Sequence, residues 1–268
     1  MPFFKSGDGA RIYYNYLNRG SSMPLLVFIH GWLVNWTCFK GEIEYFKDKG
    51  YPVLYFDLIG HGKSGKPKDE GVYSLASMER HLHCLLEKFD AKDVVLVGHS
   101  LGGMVALLYN LDHNDKVSKS ILIDTSYRSP LFFSKAFFFS KHKGIAKSLC
   151  ANAAKIRLSN DKFIDFSTMK KTNDYLIFLK ALFSVPFASS FPVLRSMLEY
   201  DVHDRLSEIR NPVLLISSKD DQFFKERLAG SFAKRMKYAM IRIKHGTHSI
   251  IIKQPEDISS EMERFIVS

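Results

Sequence analysis

Residues 94–103 read VVLVGHSLGG, a four-residue apolar run that ends on a serine with glycine two residues to either side. A β-branched run of this kind favours buried, extended backbone. The residues that follow, MVALLYNL (104–111), are apolar and helical in character. A chain passing from strand to helix through so few residues makes a sharp, strained turn with the serine at its tip. There the residues two before and two after the serine crowd each other, so both have to be small. Gly98 and Gly102 meet that need, and Gly103 adds room. The plainer reading is an ordinary serine turn. The setting of strand, turn and helix favours the nucleophile elbow, which holds a hydroxyl above the end of a sheet.

The rest of the chain supplies such a sheet. Short apolar runs bounded by turn residues recur at 24–31 (PLLVFIHG), 51–60 (YPVLYFDLIG), 93–100 (DVVLVGHS), 120–125 (SILIDT), 212–218 (PVLLISS) and 239–246 (AMIRIKHG). They read as strands buried on both sides and alternate with longer helical stretches, as in a mostly parallel α/β sheet. RIYYNYL (11–17) alternates like a strand with one exposed face.

Between Thr125 and Pro212 this order breaks. KAFFFSKHKGIAKSLCANAAKIRLSNDKFIDF and NDYLIFLKALF look helical, and the segment holds 11 of the 22 phenylalanines. It reads as a helical insertion, 127–200, between core segments 1–126 and 201–268. The formal charge of +10 is concentrated there, with 12 Lys and Arg against 4 Asp and Glu from Tyr127 to Tyr200. No nucleic-acid motif accompanies that charge, so a solvated lysine face is the reading and no nucleic-acid partner is expected. With 46% hydrophobic and 25% charged residues the composition is globular. No apolar stretch reaches bilayer-spanning length. MPFFKSGDGARIYY lacks a signal-peptide pattern, and three cysteines (Cys38, Cys84, Cys150) suit reduced thiols; a cytoplasmic location is the expectation.

A serine hydroxyl needs a base and a group that orients the base. PVLLISSKDDQF ends a strand with Asp220 and Asp221, and IRIKHGTHSIII ends the next with His248, with His245 as its rival nearer the strand. The order Ser, Asp, His along the chain is the one an elbow architecture requires.

On these residues the chain resembles the α/β-hydrolase superfamily, in detail its capped esterase, lipase-like and perhydrolase-like branches. Three further pieces are similar: His30-Gly31-Trp32 to the oxyanion loop, Asp57-Leu58-Ile59-Gly60-His61-Gly62-Lys63-Ser64 to a D-x-x-G-H-G-x-S turn, and NPVLLISSKDD to the strand that delivers the acid. The resemblance implies an eight-stranded, mostly parallel sheet flanked by helices, with 127–200 as a helical cap. It implies Ser100 as nucleophile, His248 as base and Asp221 as the acid, with Asp220 as runner-up. The family's acid stands three residues after a glycine; here that position is Ser218, a departure that weakens the register. Backbone N–H groups of Trp32 and Leu101 would form the oxyanion hole.

Other histidines take plainer readings. His30 and His61 serve turn hydrogen bonding, Asp57 braces a turn, and His99 packs on the far side of the elbow. His81-Leu82-His83-Cys84 has metal-ligand residue types, but positions two apart do not share a helical face; no metal and no cofactor are expected. The lysine-flanked cluster LFFSKAFFFSKHKG (131–144) reads as cap lining for an acyl pocket, ahead of contact with a lipid surface.

The expected function is hydrolysis of a carboxylic ester with an apolar moiety; the partner is a small-molecule ester. Serine at position 100 argues against activities that use an aspartate nucleophile. Acyl transfer, lyase chemistry or perhydrolysis could use the same triad. A non-catalytic hydrolase-fold receptor is the alternative from another class, and an intact Ser, Asp, His set argues against it.

Overall fold

The computed structural model describes residues 3–129, 148, 151–154, 161–224 and 227–268. Its sheet has eight strands: β1 (Phe3–Lys5), β2 (Arg11–Leu17), β3 (Leu26–Ile29), β4 (Val53–Phe56), β5 (Val94–His99), β6 (Val117–Ile123), β7 (Val213–Ser218) and β8 (Ala239–Lys244), in the order β1-β2-β4-β3-β5-β6-β7-β8. β1 and β2 pair antiparallel at one edge; every pairing from β4 to β8 is parallel. Each predicted run contains a strand, and Phe3–Lys5 adds the eighth. β3, β4, β5 and β7 are buried along their whole length, as parallel strands covered on both faces must be.

Helices α1 (Lys40–Asp48), α2 (Leu75–Glu87), α3 (Leu101–Asp112), α4 (Asp174–Leu182), α5 (Phe187–Glu199), α6 (Arg227–Ala233), α7 (Ile250–Lys253) and α8 (Pro255–Val267) follow in chain order. Two apolar clusters lie on opposite faces of the sheet. One packs Met78 and Leu82 of α2, Met104 of α3 and Val193 of α5 against Val27 and Leu96. The other packs Phe46 of α1, Ile177 of α4 and Met262 of α8 against Phe28 and Val97. Leaving β3 the chain builds β4 on one side; it then returns to place β5 on the other. Loops at the carboxyl ends of β3 and β5 therefore diverge and leave a crevice, the usual ligand position in such sheets.

Two expectations need correction. β8 is not buried on both faces: Met240 and Ile243 are exposed, because β8 is the sheet's edge and lacks a neighbour beyond it. The helical reading of 135–166 does not extend to 161–165, which have no regular structure before a single 3-10 turn at Phe166–Met169. There Asn35 Nδ2 and Thr37 Oγ1 hold the Ile164 carbonyl and the Phe166 N–H, so side chains replace helical partners. NDYLIFLKALF does form α4, capped by Asn173 Oδ1 at 2.8 Å from Tyr175 N. The 131–144 cluster and Cys150 lie outside the described residues. Among those described, no single helix is long and apolar enough to cross a membrane.

Glu42 on α1 is fully buried, and among the described residues neither carboxylate oxygen has a hydrogen-bond partner. Burial pushes its pKa well above the ordinary value of 4.5, so the folded chain keeps a proton that the unfolded chain releases above 4.5. The sign follows: this group makes folding less favourable as pH rises from 4.5 toward its folded-state pKa. Glu42→Met is expected to raise stability at pH 8 by about 1–3 kcal/mol, with a smaller gain at pH 5. Thermal melts at both pH values check this; an equal loss at both would contradict it.

Candidate active site

β5 delivers Gly98 and His99 to a turn in which Ser100 adopts φ 54°, ψ −117°, a left-handed conformation, before α3 begins. Two bonds to neighbouring backbone fix it: Ser100 N–H donates to Ile123 O at 3.0 Å, and Thr125 Oγ1 donates to Ser100 O at 2.6 Å. A methyl group on Gly98 would stand 2.5 Å from the Gly102 carbonyl oxygen, the crowding expected between the two glycines. A methyl group on Gly102 would instead collide with the Ile29 carbonyl at the end of β3. The elbow is thus packed against both neighbouring strands, and Ser100 stands where those strands end.

After β7, Asp221 is fully buried and its Oδ1 accepts N–H bonds from Phe223 (2.6 Å) and Phe224 (3.0 Å). Oδ2 accepts from His248 Nδ1 at 2.8 Å. Asp220, by contrast, is exposed, and its N–H donates to Gly246 O at 2.9 Å. Burial works against an ionised Asp221, but the His248 ring and two N–H donors outweigh it and hold the carboxyl below the usual range. At His248 burial likewise opposes charge. Asp221, then Asp124 and Asp174, outweigh that and raise the imidazole above its ordinary 6.5. The bond to Asp221 favours the Nδ1–H tautomer, which leaves Nε2 free of a proton in the neutral ring.

Ser100 and His248 line one cavity of about 720 Å³, together with Trp32, Ile177, Phe178, Met197, Phe223 and Ile251. Its size suits a small-molecule ligand. Among the described residues no hydrogen bond joins Ser100 Oγ to the His248 ring. The N–H groups of Trp32 and Leu101 likewise have no acceptor among them. Trp32 Nε1 donates to Ser190 O (3.2 Å), and Ser184 Oγ to Leu33 O (2.7 Å), so the loop after β3 is pinned to α5 and to the end of α4.

His30 and His61 have the turn roles expected: Leu58 N–H donates to His30 Nε2 (2.9 Å), and His61 Nδ1 bonds Ile59 O (3.1 Å). Asp57 accepts from Trp36 N and Lys63 N. His81 pairs with Asp8, while His83 stacks on His113 with ring centroids 4.2 Å apart, so the two histidines do face different partners. His99 corrects the expectation. It does not turn away from the site; its Nε2 bonds the His248 carbonyl oxygen at 2.9 Å and its ring lies 4.7 Å from the His248 ring. His99 is the last residue of β5, and its side chain stands against the loop after β8. Sequence reasoning also passed over Asp124, which ends β6 beside the elbow, and Asp174, which opens α4 and bonds Thr247 Oγ1 (3.0 Å) and Lys253 (2.9 Å) on either side of His248. An acid closing the apolar run SILID next to the elbow strand was the available signal for Asp124. Donor atoms of His99, Asp124 and His248 lie within 4.8 Å of one another. Each residue has a hydrogen-bonding role: His99 to the His248 carbonyl, His248 to Asp221, and Asp124 to Ser218.

A sequence profile of the alpha/beta hydrolase fold matches residues 24–255. The chain belongs to the α/β-hydrolase family. Protein ABHD8 of Mus musculus is 25% identical over 253 residues, which covers 91% of this chain and 55% of that protein. The chain thus spans about half the length of the first curated relatives it matches. The non-heme chloroperoxidase CPO-A1 of Kitasatospora aureofaciens is 37% identical over 103 residues, 38% of this chain and 36% of that one. Among solved structures, an esterase from Exiguobacterium antarcticum superposes with a TM-score of 0.78 at 20% identity, covering 99% of each chain. An enol-lactonase from Burkholderia xenovorans does so at 0.78 and 17%, covering 100% of each. At such identities the superpositions speak for the fold of this α/β-hydrolase.

Proposed function

We propose that this α/β-hydrolase is a serine esterase that cleaves carboxylic esters with an apolar moiety through an acyl-enzyme. The observation that carries the reading is the 2.8 Å bond from His248 Nδ1 to buried Asp221, in the wall of the cavity that Ser100 lines. In this reading Ser100 Oγ attacks the acyl carbon while His248 Nε2 takes its proton. The tetrahedral oxyanion accepts from the Trp32 and Leu101 N–H groups, which no acceptor among the described residues occupies. Collapse expels the alcohol, which leaves with the proton from His248. Water activated by the same nitrogen then releases the acid and restores Ser100. Asp221 holds the tautomer and stabilises the imidazolium throughout. The bond from Ser100 to His248 closes with substrate present, as it often does in sites of this kind.

Residues 127–200 form the cap in this reading, over a core of 1–126 and 201–268. Ile177 and Phe178 of α4, with Met197 of α5, supply the apolar wall for an acyl or alcohol chain. Free thiols at Cys38 and Cys84 fit a cytoplasmic setting. Perhydrolysis remains a side reaction of the same acyl-enzyme, with peroxide in place of water. A panel of p-nitrophenyl esters from acetate to laurate tests the reading. Hydrolysis with an optimum at intermediate chain length is expected, because the cavity is bounded by the cap helices. Failure to turn over any ester of the panel would overturn it.

A further inference from the structure

Asp124 is a buried acid (2% exposed) at the end of β6, beside the elbow, with no part in the relay described above. One of its oxygens lies within 4.8 Å of a His248 ring nitrogen and of a His99 ring nitrogen. Two short bonds hold the carboxylate: Ser218 N–H donates to Oδ1 and Ser218 Oγ–H to Oδ2, both at 2.6 Å. Ser218 is also the position where the resemblance leads one to expect glycine. A glycine would supply the N–H alone; serine adds the hydroxyl that fixes the second oxygen. The departure from the family pattern and the extra carboxylate are therefore one feature.

We infer that Asp124, clamped by Ser218, is a second carboxylate for His248: a positioning residue that supports the imidazolium beside Asp221 and substitutes for Asp221 when that side chain cannot serve. This rests on the esterase reading of the site. The other groups facing His248 are already committed. Asp174 is paired with Lys253, Asp221 holds Nδ1, and His99 is bonded to the His248 carbonyl and kept neutral by burial, its pKa pushed down to about 3. Burial and the nearby Asp221 push Asp124 up to about 7, so its charge responds over the range in which the base itself titrates.

The test has two arms. In the first, NMR follows the His248 titration in Ser100→Ala, alone and combined with Asp124→Asn or Ser218→Gly. Removing an anion beside the ring favours its neutral form, so Asp124→Asn is expected to lower the midpoint by about half a pH unit or more, and Ser218→Gly by less. In the second, kcat/KM is measured for Asp221→Asn, Asp124→Asn and the double variant with Ser100 intact. Asp221→Asn alone is expected to lose about 10- to 100-fold and the double variant about 10⁴-fold, the full cost of an acid-free triad. An unmoved midpoint, or Asp221→Asn as inactive as the double variant, overturns the inference. Should Asp124→Asn fail to fold, Ser218→Gly alone carries the titration arm and an unmoved midpoint there overturns it equally. A shifted midpoint in a protein that hydrolyses no ester would sink the esterase reading and leave the coupling standing; the reverse outcome sinks only the coupling.

Discussion

His248→Ala is expected to lower kcat/KM for an apolar ester by about 10⁴–10⁶-fold, with kcat falling and KM little changed. In the esterase reading the imidazole at the cavity wall is the base; Asp221 holds its Nδ1, and its nearest aromatic neighbours are Phe223 and Phe224 at ring separations of 4.9 and 5.7 Å, with His99 at 4.7 Å. His99 cannot replace it, because its Nε2 is bonded to the His248 carbonyl and burial depresses its pKa. Substrate binding rests mainly on the apolar wall, which explains the unchanged KM. The wild-type profile follows from the same groups. In the esterase reading the neutral imidazole is the active form, and the carboxylates of Asp221, Asp124 and Asp174 together outweigh burial and raise its pKa above 6.5. Activity is therefore lost as pH falls through a value above 6.5, not below it. Stopped assays of kcat/KM between pH 5 and 9 check both points; a variant within tenfold of wild type would contradict the first.

The second large effect is structural. Gly102→Ala places a methyl group against the Ile29 carbonyl and 2.6 Å from the His30 carbonyl, main-chain atoms at the end of β3 and the start of the loop that carries Trp32. Backbone cannot swing aside as a flexible side chain can. The cost is more than about 3 kcal/mol, which for a chain of this size lowers Tm by roughly 6–12 °C. Any relaxation displaces either Ser100 or the Trp32 N–H. Gly230→Ala is the control. Gly230 lies in α6 with nothing among the described residues within 4 Å of the added methyl, so the change is expected to be neutral or slightly stabilising. Thermal melts of the two variants side by side check the contrast; equal Tm values would contradict the packing described for the elbow.

The sheet was legible in the sequence because parallel strands buried on both faces leave unbroken apolar runs, and Val94–His99 is the clearest of them. The edges were less so. β1 is three residues long, too short for periodicity, and β8, the edge strand, has exposed residues on both faces, which its apolar run did not show. The elbow was readable because steric crowding leaves a local glycine signature. Asp221 and His248 were placed by position, at the ends of successive strands, and only a family spacing with its glycine replaced by Ser218 pointed to Asp221 over Asp220. Burial and two N–H donors do that in three dimensions. Asp124 escaped notice because its partner, Ser218, lies 94 residues away and no short motif encodes such a bond. The segment 161–165 misled because its apolar residues are held by Asn35 and Thr37, far off in the chain, and not by helical neighbours.

Mass-spectrometric mapping of the adduct formed with an alkyl fluorophosphonate, which bonds an activated serine oxygen and expels fluoride, tests the central assignment most directly. One adduct is expected, on the peptide bearing Ser100, lost in Ser100→Ala and strongly slowed in His248→Ala. An adduct on another residue, or undiminished labelling of Ser100→Ala, would contradict it.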